Sequence, residues 1–314
     1  MTDSVVLHTS TTKVGWSTET NYAGGVAGVK YACTQIANDA SLTALNLQKE
    51  DLNLGFAEVE RVQIKPATAA PDTKFILNKG YRYKEFTISQ YVQNETWAAQ
   101  AGATITPGTL PTSYCFHCEL LGVNGVIDYF DIFGCVLINY ELDQSESDFP
   151  TEKLTFSYYD VKDGVAHSTL AGWLATAPST HKDIGLSIDA EAVLSVLKSN
   201  LKITINTLDK MVATKYQRFD PHIMSRDVDL EATFYANQTV EKSVVGDELA
   251  LGGTLTALNE VAIAYTYNSA SANLSASKMY VETSSIGKIP AEMGIYEISV
   301  TMKSGTANVV AHNT

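Results

Sequence analysis

Glu85-Phe86-Thr87-Ile88-Ser89, with Asn94-Glu95-Thr96-Trp97-Ala98-Ala99-Gln100-Ala101-Gly102 close behind, returns later in the chain. The echo is Glu231-Ala232-Thr233-Phe234-Tyr235 followed by Asn237-Gln238-Thr239-Val240-Glu241-Lys242-Ser243-Val244-Val245-Gly246. In each copy apolar residues fall at every second position, the period of a strand with one buried face. Each then enters a short helical pattern. An Asn opens it, offering a side-chain oxygen to free N–H groups of the first turn, and a Gly able to adopt the left-handed conformation closes it. The expectation is one strand-to-helix unit written twice.

The neighbours of this pair repeat in the same order. Val62-Gln63-Ile64 answers to Ile203-Thr204-Ile205, Cys135 to Asp143 answers to Lys278 to Ile286, and Leu154-Thr155-Phe156-Ser157 answers to Ile298-Ser299-Val300-Thr301. The offsets run from 141 to 146 residues, the size of one modest domain. This reads as a tandem duplication.

The chain of 314 residues is 45% apolar and 18% charged, an ordinary balance for a globular protein with real cores. Its start has neither a basic segment nor an apolar run, and no window approaches the roughly 18 apolar residues of a membrane helix. The expectations are synthesis in the cytosol and no membrane anchor. A net charge of −13 argues against binding the phosphate backbone over a broad basic surface. Residues 101 to 150 concentrate that charge, holding Glu119, Asp128, Asp131, Glu141, Asp143, Glu146 and Asp148 with no Lys or Arg. Such a segment faces water or a surface that must not hold anions. Cys33, Cys115, Cys118 and Cys135 are too few and too uneven for a disulfide framework and read as reduced and buried.

In chain order, residues 1–50 are rich in Thr, Ser, Ala and Gly and read as an N-terminal arm. Residues 51–165 form the first β domain, with strands at Glu58 to Ile64, Tyr81 to Ser89, Tyr114 to Leu121, Phe133 to Leu142 and Lys153 to Tyr159. Residues 166–186 are the linker and 187–314 the second β domain. In the second domain Asp189 to Ser199 reads as a helix capped by Asp189. Strands follow at Leu201 to Thr207, Asp227 to Tyr235, Asn259 to Tyr267, Lys278 to Thr283 and Tyr296 to Lys303. Two long connections, at Lys65 to Lys74 and from Leu208 to Met224, occupy equivalent places and are candidate functional loops. The fold class is mainly β with short helices, arranged as two tandem units, each a sheet with one helix packed on it.

Few constellations point to chemistry. Cys115-Phe116-His117-Cys118 has metal-like spacing, but on a strand the two thiols point to opposite faces and no second ligand pair follows. Asp227, Asp229 and Glu231 share one strand face opposite Val228, Leu230, Ala232 and Phe234. They could hold a hard cation or act as paired carboxylates, and a solvated acidic face is the plainer reading. Asp143 to Asp148 hints at a calcium loop, yet Asp148 stands where the sharp turn needs Gly. The six histidines form no nucleophile, metalloprotease or phosphate-loop motif. Trp16, Trp97 and Trp173 could line a sugar-binding face or sit in a core. The expectation is no enzyme, no cofactor and no bound metal.

The order of elements has a familiar counterpart. A strand, a long loop, the strand Tyr81 to Ser89, the capped helix Asn94 to Gly102, then further strands including Gly134-Cys135-Val136-Leu137-Ile138-Asn139-Tyr140, resembles the tail tube (major tail) proteins of tailed viruses. The likeness covers most of residues 55–160 and again 200–305. It implies two tandem β-sandwich or partial-barrel tube-like domains, each with a flanking helix. It further implies a virion structural protein, made in the host cytoplasm, whose rings stack into a hollow tail tube through which DNA passes. Implied partners are copies of itself, the tape measure protein and tail-end proteins. Rings of six single-domain subunits are common in that family, so two domains per chain imply three chains in a pseudo-hexameric ring, preferred over six.

On this resemblance Asp227, Asp229 and Glu231, or the acids of residues 101 to 150, are candidates for the lumen, where repulsion keeps DNA from sticking. Lys65, Pro66, Pro71, Asp72 and Lys74, with Lys215, Tyr216, Arg218 and Phe219, are candidates for ring-stacking loops. The alternatives are a two-domain β-sandwich adhesin or carbohydrate-binding module, and the inner tube of a contractile injection device.

Overall fold

The computed structural model describes residues 13–19, 43–44, 47–55, 59–64, 75–81, 85–108, 111–121, 126–158, 160–163, 178–208, 222–245, 260–267, 273–287, 295–305 and 308–313. The chain is mainly β, with two short helices among these residues. The first half contains β1 (Lys13–Thr18), β2 (Thr43–Ala44), β3 (Leu47–Gly55), β4 (Val59–Ile64), β5 (Phe75–Tyr81) and β6 (Glu85–Tyr91). Then come α1 (Thr96–Gly102), β7 (Tyr114–Leu121), β8 (Ile127–Ser145), β9 (Thr151–Ser157) and β10 (Asp160–Asp163). The second half contains β11 (Ile184–Ile188), β12 (Glu191–Ala192), β13 (Ser195–Leu208), β14 (His222–Ala236), α2 (Gln238–Val245), β15 (Glu260–Tyr267), β16 (Asn273–Ile286), β17 (Tyr296–Ser304) and β18 (Val310–Asn313).

All described pairings are antiparallel, and the same pairing order occurs twice. In the first half it runs β2-β1-β7-β8-β9-β6-β3, with β10 beside β8. In the second it runs β12-β11-β15-β16-β17-β14-β13, with β18 beside β16. Register repeats as well. Glu85 stands opposite Ser157 as Glu231 stands opposite Thr301. The two-stranded sheet β4–β5 continues the match, since Val59↔Tyr81 occupies the place of Thr204↔Asp227 in the longer β13–β14 hairpin.

The halves are nevertheless parts of one sheet. β8 pairs with β13 from Asn139↔Thr204 to Ser145↔Lys198, carrying the ladder from the first half into the second. One apolar cluster likewise holds residues of both, from Val14 and Trp97 to Met279 and Met302. Inward positions of the alternating strands fill it. Phe86, Phe156, Phe116, Tyr114 and Trp97 form a ring cluster, with Phe86 and Phe156 stacked at 5.2 Å and Trp16 lying 4.8 Å from Trp97. At the seam between the halves the core is polar. Gln90 Nε2 donates to Glu152 Oε1 at 2.5 Å, and Tyr140 and Tyr267 join hydroxyl to hydroxyl at 3.1 Å. Burial holds Glu152 up at about 8 and pushes both tyrosines above their ordinary values.

β8 is long because it serves two layers. Its Ile127–Cys135 part pairs with β7, and its Val136–Ser145 part with β9 and β13. Between them Gly134 has φ +62°, which only Gly takes without strain, and the register against β7 shifts there. A matching irregularity interrupts β15–β16.

α2 begins as the sequence suggests, with Asn237 Oδ1 accepting from Thr239 and Val240 at 3.1 Å. At α1 the N-cap is Glu95, whose side chain makes no cap bond, and Asn94, one residue earlier, accepts from the Thr96 N–H at 3.0 Å. The close of α1 differs. Gly102 is helical, and Ala103 leaves at φ −55°, ψ 145° with no left-handed residue. Glycine is needed there for proximity: a Cβ would meet His312 Cβ and Leu274 Cδ1 at 2.8 Å, where α1 lies on the second half. Arg226 of β14 holds the same helix end, donating to the carbonyls of Ala101 (2.6 Å) and Ala103. Gly246 lies outside the described residues.

The segment expected as a helix over Asp189 to Ser199 is a hairpin and a strand. Asp189 and Ala190 have φ of 51° and 66°, giving the two-residue turn with both centres left-handed that joins β11 to β12, and β13 begins at Ser195. Tertiary pairing overrides the apparent 3.6-residue spacing of Val193, Leu194 and Leu197. β11 starts inside the stretch read as linker. Two repeat alignments shift. Val59↔Tyr81 sets Val62 against Thr207 and not Ile203, four residues on. Val136↔Ser157 matches Thr283↔Thr301, not Met279, a shift of four that the irregularity at Leu137/Asn139 reduces to three where Asn139 answers to Ser285 and not Glu282. An alternating strand looks the same after any even shift.

Candidate functional site

The clean alternation of β14 leaves Val228, Leu230, Ala232 and Phe234 buried and turns Asp227, Asp229, Glu231 and Thr233 to the open face. Cross-strand register shows what surrounds them. One row runs Thr87, Thr155, Asn139, Thr204, Asp227, and another Thr151, Asp143, Asn200, Glu231, Thr301. Between them lies Lys153, Glu141, Lys202, Asp229, Lys303, five adjacent strands with strictly alternating charge. A fourth row, Ser145, Lys198, Thr233, Ser299, Ser285, is hydroxylic apart from its lysine.

Opposite charges directly across a ladder attract, and like charges there repel. The face expected to be acidic is thus nearly balanced, with each acid of the central row flanked by lysines. Its polar side chains also bond across the seam: Asn200 Nδ2 donates to Glu141 Oε1 at 2.9 Å and Thr204 Oγ1 to Asn139 Oδ1 at 3.3 Å. Asn206 Nδ2 donates to Asp227 Oδ2 at 2.6 Å. Lys303 Nζ meets Glu282 Oε1 at 3.0 Å, which raises the lysine above its ordinary value. A depression of about 610 Å³ lies on this face, bordered by Glu141, Lys198, Glu231 and Ser285 from four different strands.

The seven acids of residues 101 to 150 divide among four places. Glu141 and Asp143 belong to the polar face. Glu146 and Asp148 sit in the turn after β8, and Asp128 is exposed near its start. Glu119 and Asp131 are buried around His117, whose Nδ1 lies 2.6 Å from Asp131 Oδ1 and Nε2 3.7 Å from Glu119 Oε1. Cys118 points the other way into the apolar cluster, as strand geometry requires, and Cys115, Cys118 and Cys135 are all buried. Among the described residues no group of three His, Cys, Asp or Glu is placed to hold a metal ion.

Trp97 is 2% exposed and Trp16 packs on it, so neither forms a sugar platform, and Trp173 lies outside the described residues. So do Lys65, Pro66, Pro71, Asp72, Lys74, Lys215, Tyr216, Arg218 and Phe219. Among the described residues no helix is long and apolar enough to cross a membrane.

No protein-family model and no curated protein matches this chain.

The sheet edges complete the site. β8 uses one side of Asn139–Ser145 for β13 and the other for β9. Its counterpart β16 has β17 on one side up to Ile286. Among the described residues no strand lies on the other side beyond Tyr280. At the opposite end of the path, β3, the counterpart of the start of β13, pairs among the described residues with β6 alone. Among the described residues one chain therefore leaves a β16 edge and a β3 edge unpaired, the counterparts of the two edges that meet within the chain at β8–β13.

Proposed function

We propose that the chain is a structural subunit built from two tandem, duplicated tube-type units, and that copies join into rings stacked as the hollow tail tube of a tailed virus. The observation that carries this reading is the β8–β13 joint. It is head-to-tail, because one unit gives its β8-type edge and the next its β13-type edge. A head-to-tail interface that uses different surfaces on its two sides propagates until it closes into a ring. β16 of one chain pairing with β3 and β4 of the next repeats the joint already present.

Three chains are the preferred ring, since six units close a pseudo-sixfold circle. Each unit then contributes four strands to the inner wall, and about 24 strands at ~4.8 Å spacing give an untilted diameter of about 37 Å, which strand tilt enlarges. That is wide enough for a nucleic-acid duplex. The face turned inward is the polar one, since the other buries the apolar cluster. Its hydroxyls and self-paired charges suit a wall along which DNA slides: each lysine of the central row already faces a carboxylate. Of the four rows only the hydroxylic one carries a cation, Lys198, with no acid directly across the ladder, far short of the broad cationic surface that counterion release requires.

The test is electron microscopy of the purified chain with light scattering across a range of concentrations. Rings or tubes with three chains per layer are expected. A persistent monomer that binds a glycan, or turns over a substrate, would replace this reading with an adhesin or an enzyme.

A further inference from the structure

A second surface lies at the seam, at the Ser195 end of β13. The turn after β8 and the starts of β11 and β13 enclose a cleft of about 890 Å³. Its walls are Leu186, Val193, Leu194 and Phe149, with Glu146 and Asp148 at the rim. Phe149 is 51% and Leu194 56% exposed, two of the largest apolar exposures among the described residues, and both border this one cavity. Tyr91 holds the Phe149 ring from behind at 5.9 Å, and Gln144 braces the floor by donating to the Ile184 carbonyl at 2.9 Å. A preformed, partly apolar cleft with an acidic rim is built to receive a segment carrying aromatic and cationic side chains.

We propose that this cleft is the seat of residues 209–221 of a second copy of the chain, in the next layer. The inference rests on the stacked-ring reading and adds the receiving surface to it. β13 runs from Ser195, at the cleft, to Leu208, where the segment begins, a separation of about 45 Å at ~3.3 Å per residue. The cleft thus lies at one end of β13, and the chain leaves for the segment from the other. Copies placed in line along the strands bring one onto the other.

The chemistry matches. Residues 209–221 read Asp-Lys-Met-Val-Ala-Thr-Lys-Tyr-Gln-Arg-Phe-Asp-Pro, supplying Met211, Val212, Tyr216 and Phe219 for the apolar walls. Lys210, Lys215 and Arg218 outnumber Asp209 and Asp220, whereas Glu146 and Asp148 outnumber Lys182 at the cleft. The strands that flank the segment carry exposed Leu208 and Met224, which add to the apolar side chains of its sequence. The corresponding connection at residues 65–74 has no aromatic residue, so it is not the partner for this cleft.

The test uses the full chain with Leu194→Asp and, separately, Phe149→Asp. Both side chains are more than half exposed, so melting temperature should stay within a few degrees of the parent. The expected result is rings of unchanged size with mean tube length reduced at least tenfold. A Leu194→Cys, Phe219→Cys double variant should give disulfide-linked chains only when rings stack, and neither single variant should. Tubes of parental length with both Asp variants, or no cross-link in stacked material, would overturn the cleft as the seat while leaving the tube intact. A parent chain that forms no rings would overturn the tube reading, and this one with it.

Discussion

Glu152 offers a quantitative test of the seam between the halves. Its side chain is buried, Oε1 accepts from Gln90, and the Tyr140 hydroxyl lies beside the carboxyl. Burial lifts the group from 4.5 to about 8, so the folded chain keeps it protonated at neutral pH while the unfolded chain ionises it. Below pH 4.5 both states carry the proton and the group costs nothing. Between pH 4.5 and about 8 the unfolded state releases a proton that the folded state retains, and stability falls as pH rises. Above about 8 both are ionised and the slope ends. At roughly 1.4 kcal/mol per unit the ceiling on this loss is about 5 kcal/mol, and relaxation around the carboxyl reduces what is measured.

Glu152→Gln keeps the shape and an oxygen for Gln90 but has no proton to lose. Urea denaturation at intervals from pH 5 to 8.5 should show the parent losing a few kcal/mol relative to the variant, with the two converging toward pH 4.5. Parallel curves with a constant offset across that range would refute the assignment of a protonated carboxyl at the seam.

Two further outcomes follow from the same geometry. Gly102→Ala should lower stability by about 1–3 kcal/mol despite improving helix propensity, because its Cβ would strike the backbone-anchored His312 Cβ at 2.8 Å; a thermal melt reads this, and a neutral or raised melting temperature would contradict the close packing. Lys202→Glu sets three acids side by side with Glu141 and Asp229, and should weaken the β8–β13 joint by about 0.5–1 kcal/mol in low salt. High salt should recover most of that loss, and a salt-independent effect would show that the row is not electrostatic.

Much of the architecture was legible in residue patterns, for reasons that also mark the limits. Tyr114–Leu121 has the bounds its composition suggests, and β14 sorts its side chains as the alternation of Asp227 to Phe234 implies. The Asn237 cap, and the Asn94 bond to the first N–H of α1, were readable because their chemistry is local. Register was not, since period-2 strands tolerate even shifts and bulges add odd ones, and two repeat matches came out three to four residues from the pairings observed. The hairpin at Asp189 and Ala190 lacks the Asn-Gly or Asp-Gly signal that usually announces such a turn.

At the candidate site, the carboxylates of β14 were visible as a set, but their partners were not. Lys153, Lys202 and Lys303 are far apart in sequence, and only the strand order places them beside Glu141 and Asp229. The same holds for the joint itself. Neither Asn139–Ser145 nor Lys198–Thr204 carries a local mark showing that the two halves would share a ladder.

The most direct test of the proposed assembly is a disulfide trap across the edge between chains. The β8–β13 register, transferred to the open edges, sets Ser285 of one copy opposite Val59 of the next, as Asn139 stands opposite Thr204 within the chain. Directly opposed strand residues are close enough to form a disulfide. A Ser285→Cys, Val59→Cys variant, assembled and then oxidised, should give a covalent product that closes at three chains, with the single variants giving none. A ladder that closes at six would contradict the threefold ring. Assembled material without any cross-link would contradict the joining of chains through these edges.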